Sequence, residues 1–203
     1  MQRDSADNTG TGLAGIILAA GASTRLGRPK QLVRLQGTPL IARAVREALP
    51  ICGSGILVVT GAHHDEVSAA LQDLPVTVVR NAAWQEGIGI SIREAVALME
   101  PSVEAVLVML ADQPAVTERG LRTLVAAWAA DPGHIAASRY DDTVGVPAIF
   151  PREYWRLLLA LRGDRGAKSV IDASEPVNLV AMPEAAVDID TPEDLAALLA
   201  RTE

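Results

Sequence analysis

A single cysteine, Cys52, stands in 203 residues, which excludes an internal disulfide and any zinc site built from several thiolates. Aromatics are nearly as scarce. Three tryptophans, two tyrosines and one phenylalanine make 3% of the chain, so a core must be built from Leu, Val, Ile and Ala. Positive charge is in deficit, 18 Lys and Arg against 25 Asp and Glu, for a net charge of −7 and an isoelectric point near 5.0. Such a chain is repelled by nucleic acid and by anionic membranes, and neither is an expected partner. No apolar run suits a membrane span: the longest uncharged stretch, Ala48 to His64, is broken by Pro50, Gly53, Gly55 and Gly61. The opening MQRDSADNTG carries no apolar stretch after Arg3, so no secretory leader is read there and a cytoplasmic setting is expected.

What is present is an apolar, moderately charged chain: 49% hydrophobic, 21% charged, mean hydropathy +0.22. This is too apolar for a disordered protein. Residues 1–12 read as a loose polar tail and 13–203 as one domain, without repeat or linker. The run Leu13 to Ala19 reads as a strand buried on both faces. Thr38-Pro39 reads as a helix start, and Leu40, Ile41, Ala44, Val45 and Ala48 follow with helical spacing. Strands expected at 55–60, 76–79, 104–110, 134–138, 144–150, 177–181 and 187–189 alternate with helices at 65–71, 91–99, after Thr117, at 151–161, 165–172 and after Thr191. That alternation predicts an α/β fold, a Rossmann-like, mainly parallel sheet with helices on both faces. Ligands of such sheets sit beyond the carboxyl ends of the strands, which selects the loop after Ala19, the Asp112 turn and the turn after Ile189.

One apparent dinucleotide fingerprint is set aside. Gly10-Thr11-Gly12-Leu13-Ala14-Gly15 spells GxGxxG, but it precedes the first strand instead of following it. The loop Leu18 to Lys30, LAAGASTRLGRPK, is placed correctly. Gly21 and Gly27 let backbone N–H groups approach a phosphate, Ser23 and Thr24 add hydroxyls, and Arg25, Arg28 and Lys30 gather three cations in an acidic chain. It is not a Walker A loop, since the GxxxxGK[ST] order is absent. Asp112, just past an apolar strand, suits a hard divalent cation between it and phosphate oxygens. Asp188 and Asp190 share one side of their segment by strand period, so spacing alone does not choose between them.

The loop resembles the LAAGxSxRxGxPK signature of the MobA-like nucleotidyltransferases. Asn81 to Ser91 (NAAWQEGIGIS), Leu110 to Pro114 (LADQP), Leu161 to Ala167 (LRGDRGA) and Asp188 to Leu195 (DIDTPEDL) resemble further segments of that family, in family order. Within that family the segments resemble those of the molybdenum cofactor cytidylyltransferases. The resemblance implies the nucleotide-diphospho-sugar transferase (GT-A-like) fold, and Mg²⁺-dependent transfer of CMP from CTP to the phosphate of a molybdopterin-type cofactor. It implies Arg25 and Lys30 as catalytic cations. Leu18, Ala19, Ala20, Gly21, Ser23, Lys30, Asn81, Gly87 and Ser91 would hold the nucleotide, and Asp112 with Asp190 the Mg²⁺. Asp164 and Arg165 are the candidates for the second substrate, and a molybdoenzyme would receive the product. Guanylyl-transferring relatives carry Gly where this chain has Ala20, which points to CTP. The chain departs from many relatives at Gly145-Val146-Pro147, where they carry Gly-His-Pro; this bears on the second substrate. His63-His64-Asp65 reads as a loop entering a helix, and Trp84, Trp128 and Trp155 as packing residues. Two rival functions remain: transfer to another small phosphate such as a sugar phosphate, and a non-catalytic protein that holds or matures the molybdenum cofactor.

Overall fold

The computed structural model describes residues 12–200, so the tail expected at 1–12 lies, Gly12 apart, outside the described residues. Strand β1 (Leu13–Ala19) is buried at every position. Leu13, Ile17 and Ala19 face one core, while Ala14, Ile16 and Leu18 face the other. That is the mark of a central parallel strand covered on both sides. Leu13 to Gly15 thus lie inside a strand, which is incompatible with a fingerprint turn.

The loop after β1 ends in a small hairpin, β2 (Arg34–Leu35) with β3 (Thr38–Pro39), and α1 (Leu40–Cys52) follows. Here the structure corrects the sequence reading. Thr38 pairs with Leu35, Pro39 is the residue before the helix, and no side chain caps α1. The cause is the turn Gln36-Gly37, with φ of 51° and 79°. Two consecutive positive φ angles match the strand twist of a tight hairpin, and the residue before a proline is biased to extended backbone.

The remaining elements are β4 (Ile56–Thr60), α2 (His64–Ala70), β5 (Thr77–Arg80), α3 (Ile88–Ala97), β6 (Ala105–Leu110), α4 (Glu118–Ala130), β7 (Ile135–Tyr140), β8 (Thr143–Pro151), α5 (Trp155–Leu159), α6 (Ala167–Asp172), β9 (Val177–Ala181) and α7 (Pro192–Ala200). The large sheet has the order β5-β4-β1-β6-β8-β7-β9. Every neighbouring pair is parallel except those made by β8, which runs antiparallel to both β6 and β7. The mainly parallel α/β sheet is therefore present. One core packs α1, α2 and α4 on the sheet, the other α3, α5 and α6.

Two expected elements differ. Residues 151–161 form a short 3-10 turn (Arg152–Tyr154) and then the five-residue α5, because Pro151 still belongs to β8. Residues 187–189 form no strand. Ile189 is fully buried, but in a third cluster with Leu26, Leu35, Leu40 and Leu195, so its apolar side chain docks on the β2–β3 hairpin and α7 and not on the sheet. This docking carries Asp188 and Asp190 to the loop after β1. Trp128 and Trp155 pack in the two main cores, as expected. Among the described residues no helix is long and apolar enough to cross a membrane.

Candidate active site

The loops beyond β1 and β6 and the turn at α3 surround a cavity of about 370 Å³. Leu18 to Gly21, Arg25, Lys30 and Gln31 form its floor, Trp84, Ile88 and Ser91 one wall, and Leu110 to Asp112 with Asp188 and Asp190 the other. A side chain at Gly21 would meet no protein atom within 4 Å, and its φ is not left-handed. The fold does not demand glycine there. Glycine there leaves room for a ligand to come close to the backbone.

The loop is held from within. The Ser23 hydroxyl accepts the Lys30 backbone N–H at 3.0 Å. Gln31, only 2% exposed, donates from Nε2 to the carbonyls of Ala19 (3.1 Å) and Gly21 (2.9 Å), pinning the floor to the start of the loop. Gln31 is a site residue that the sequence reading missed. Its position beside Lys30 was the one signal available, since nothing in its spacing marks a buried amide.

Charge converges on Lys30. Its ammonium forms ion pairs with Asp112 and, at 2.8 Å, with Asp190, and Arg25 donates to the other Asp190 oxygen at 2.6 Å. Asp190 is fixed in turn by α7: its N–H donates to the Asp194 carboxylate, which also accepts from the Thr191 N–H and hydroxyl. Burial would lower the Lys30 pKa, but Asp112 and then Asp190 outweigh it and hold the ammonium above its ordinary 10.5. The Lys30 hydrogen bond keeps Asp190 below its ordinary 3.8, against partial desolvation. Asp188 moves the other way, raised by partial desolvation in the cleft and then by the like charges of Asp190 and Asp112.

The donor set fits a divalent metal shared with a ligand. Asp112 and Asp190 already converge on one cation, the Lys30 ammonium, and Asp188 adds negative charge beside them. Among the described residues no three His, Cys, Asp or Glu side chains form a cage on their own. A metal held here would complete its shell from phosphate oxygens and water, as Mg²⁺ commonly does.

Other expected site residues stand one layer back. Asn81 is fully buried and does not line the cavity; it donates to the Ser91 hydroxyl (2.9 Å) and accepts the Ala83 N–H (2.8 Å). Gly87, with φ of 108°, packs on Gly163, where a side chain would lie 2.2 Å from a backbone carbon. It sets the start of α3, and Ile88 and Ser91 of that helix reach the cavity. Asp164 and Arg165 are exposed and do not line it. Gln113 donates to the carbonyls of Val146 (3.1 Å) and Ala185 (2.8 Å), so the Asp112-Gln113-Pro114 turn is clasped to β8 through the departing Val146. His63 and His64 lead into α2, where His64 Nδ1 bonds the Thr60 hydroxyl at 2.7 Å. Trp84, expected to be a packing residue, lines the cavity wall.

This strand order, with a cationic glycine loop meeting carboxylates at the strand ends, is that of the nucleotide-diphospho-sugar transferase fold. Residues 15–177 match the MobA-like NTP transferase domain, and the chain belongs to that family. It is similar to the bifunctional protein GlmU of Jannaschia sp., 36% identical over 151 residues that make 72% of this chain and 31% of that protein. The chain thus spans less than a third of the length of such GlmU proteins. It is similar over nearly its whole length to nicotine blue oxidoreductase of Paenarthrobacter nicotinovorans, 29% identical across 92% of this chain and 96% of that one. Among solved structures it resembles Rv0371c of Mycobacterium tuberculosis in complex with manganese, with TM-score 0.76 and 30% identity over 94% of this chain and 99% of that one.

Proposed function

We propose that the protein transfers CMP from CTP to the phosphate of a molybdopterin-type acceptor and releases pyrophosphate. The observation that carries the transfer chemistry is the meeting of Lys30 with Asp112 and Asp190 at the Gly21 loop, 160 residues of sequence apart for the Lys30–Asp190 pair. The CMP and acceptor assignments rest on the five sequence segments and on Ala20, which lines the cavity. In the reaction an acceptor phosphate oxygen attacks the α-phosphorus in line, and the bond to the oxygen bridging the β-phosphate breaks. Arg25 and Lys30 orient the triphosphate and meet the charge that develops on it. No protein base is required, because a phosphate monoester is anionic near neutral pH. Asp112 and Asp190 would hold Mg²⁺, which when bound neutralises phosphate charge. The work is assigned to the cytoplasm, with the product passed to a molybdoenzyme.

A second reading keeps the donor chemistry and takes a sugar phosphate as acceptor. What favours it is that Asp164 and Arg165, implied for the second substrate, do not line the cavity. The test is pyrophosphate release from CTP and Mg²⁺ with each acceptor class. Release with the pterin phosphate alone supports the proposal, and release with sugar phosphates alone selects the second reading. No release with any acceptor leaves a non-catalytic carrier. The nucleotide is tested by kcat/KM for CTP and GTP in wild type and Ala20→Gly. The Ala20 methyl takes space that a two-ring base needs, and one such group discriminates by about 1–3 kcal/mol. CTP preference in the wild type, narrowed by Ala20→Gly, is expected. A wild-type preference for GTP rejects the cytidylyl assignment, and an unchanged preference in Ala20→Gly moves selectivity to the 87–91 segment.

A further inference from the structure

We propose that Trp84 is the platform on which the nucleobase stacks, a role that rests on the nucleotidyltransfer reading of the cavity. Sheet order divides the cavity into two ends. The charged groups Lys30, Asp112 and Asp190 gather where the loops after β1 and β6 meet. Trp84 lies in the turn after β5, on the opposite side of β1, beside Ile88 and Ser91. A triphosphate anchored at the charged end therefore directs its base toward the apolar wall that holds Trp84.

The indole is held there by backbone, not by a core. A side chain at Gly61 would stand 2.7 Å from Trp84 Cβ and Cγ and 2.5 Å from the Ala20 carbonyl oxygen. Gly61 thus lets Trp84 sit against the end of β4, next to the cavity floor. Ala62 N–H donates to that same Ala20 carbonyl at 3.1 Å, and Asn81 fixes Ala83, the residue before Trp84, at 2.8 Å. The contrast with the other two tryptophans is direct: Trp128 and Trp155 are 7% and 6% exposed and belong to the two cores, whereas Trp84 is half-buried and belongs to neither. An indole held on one side and left open on a cavity offers a face to a flat ring. Every base has such a face, so Trp84 contributes affinity common to CTP and GTP and leaves the choice between them to Ala20.

The experiment compares CTP, GTP and inorganic triphosphate, the last a ligand without a base, by titration of wild type, Trp84→Phe and Trp84→Ala. CTP is expected to quench the wild-type indole fluorescence, and Trp84→Phe to lose most of that quench while keeping affinity within a few-fold. Trp84→Ala weakens CTP and GTP on the order of tenfold or more, with triphosphate affinity unchanged. Equal weakening of CTP and triphosphate in Trp84→Ala overturns the proposal and makes Trp84 a structural residue. Unchanged CTP affinity in Trp84→Ala overturns it as well. Trp84-dependent CTP binding without transfer to any acceptor supports the platform and refutes the transferase reading, so the two fail separately.

Discussion

Lys30 joins two carboxylates that would otherwise repel one another, and its side chain is 20% exposed, enough to face a ligand in the cavity. The same ammonium can neutralise the aspartates or a phosphate, which suits a group that meets charge as it develops. Lys30→Ala is expected to lower turnover on the order of 100-fold or more while far-UV circular dichroism stays that of the wild type. Comparable turnover in the folded variant would end this assignment. The two aspartates of the 188–190 segment separate by the same logic. Asp190 is paired with Lys30 and Arg25, whereas Asp188 forms no ion pair among the described residues. Asp190→Asn should therefore reduce metal-dependent turnover more than Asp188→Asn. The lowered Asp190 pKa means a contribution to stability that is present above the ordinary carboxylate value of 3.8 and lost as pH falls through the lowered one. The raised Asp188 pKa means the opposite, a cost that is full at neutral pH and vanishes on acidification. Thermal melts of the metal-free variants should show Asp188→Asn above wild type near neutrality and level with it at acid pH, and Asp190→Asn below wild type near neutrality. The reverse order of melting would contradict these electrostatics, and the reverse order of turnover would transfer the ligand role to Asp188.

At the scale of elements, two glycines of the site serve different ends. Gly87 starts α3 with φ of 108° against Gly163, so Gly87→Ala combines backbone strain with a backbone clash. A loss of about 2–4 kcal/mol in urea unfolding is expected, since strained positions and overpacking each cost on the order of 1–3 kcal/mol. Gly21→Ala meets open space, so its unfolding midpoint should stay at the wild-type value while nucleotide affinity falls. Destabilisation by Gly21→Ala, or none by Gly87→Ala, would contradict this division. The same elements show what a sequence can reveal. β1 and β6 are legible because uninterrupted apolar runs have few other solutions, and α1 because its buried residues recur with helical spacing. The glycine loop, Lys30 and Asp112 are legible because chemistry and strand end coincide. Thr38 and Ile189 mislead for a shared reason: each looks like part of a local element, but the local geometry is set by contacts remote in sequence, the β2–β3 hairpin and the cluster it forms with α7. Gln31 and Trp84 are hidden because burial of an amide and exposure of an indole to a cavity leave no mark on periodicity. Asp188 and Asp190 both line the cavity, and the positions of Lys30 and Arg25 in space distinguish them.

Across the whole molecule, the two main cores are joined by a shared sheet, since alternate residues of β1 belong to one core and then the other. Neither face of that strand can be exposed without disturbing the opposite core, so residues 13–200 are expected to unfold as one unit. Cys52 is the natural reporter. It ends α1 at 1% exposure, in the core with Ile17 and Ile56 and close to the Gly15 backbone. Burial pushes its thiol up to about 12 from an ordinary 9.0. Thiolate is the reactive form, so the folded protein should resist disulfide reagents at mildly alkaline pH, where an unfolded thiol reacts readily. The linkage has a definite sign: the folded state holds the thiol proton more tightly, so Cys52 withdraws stability as pH rises above 9.0 toward about 12. In Cys52→Ala this alkaline loss should shrink. In the wild type, the extent of labelling after brief exposure to the reagent should rise with urea along the same curve as loss of helical circular dichroism. Labelling that precedes the dichroism transition would show that α1 and its core open before the rest, and that the sheet does not bind the two cores into one cooperative unit.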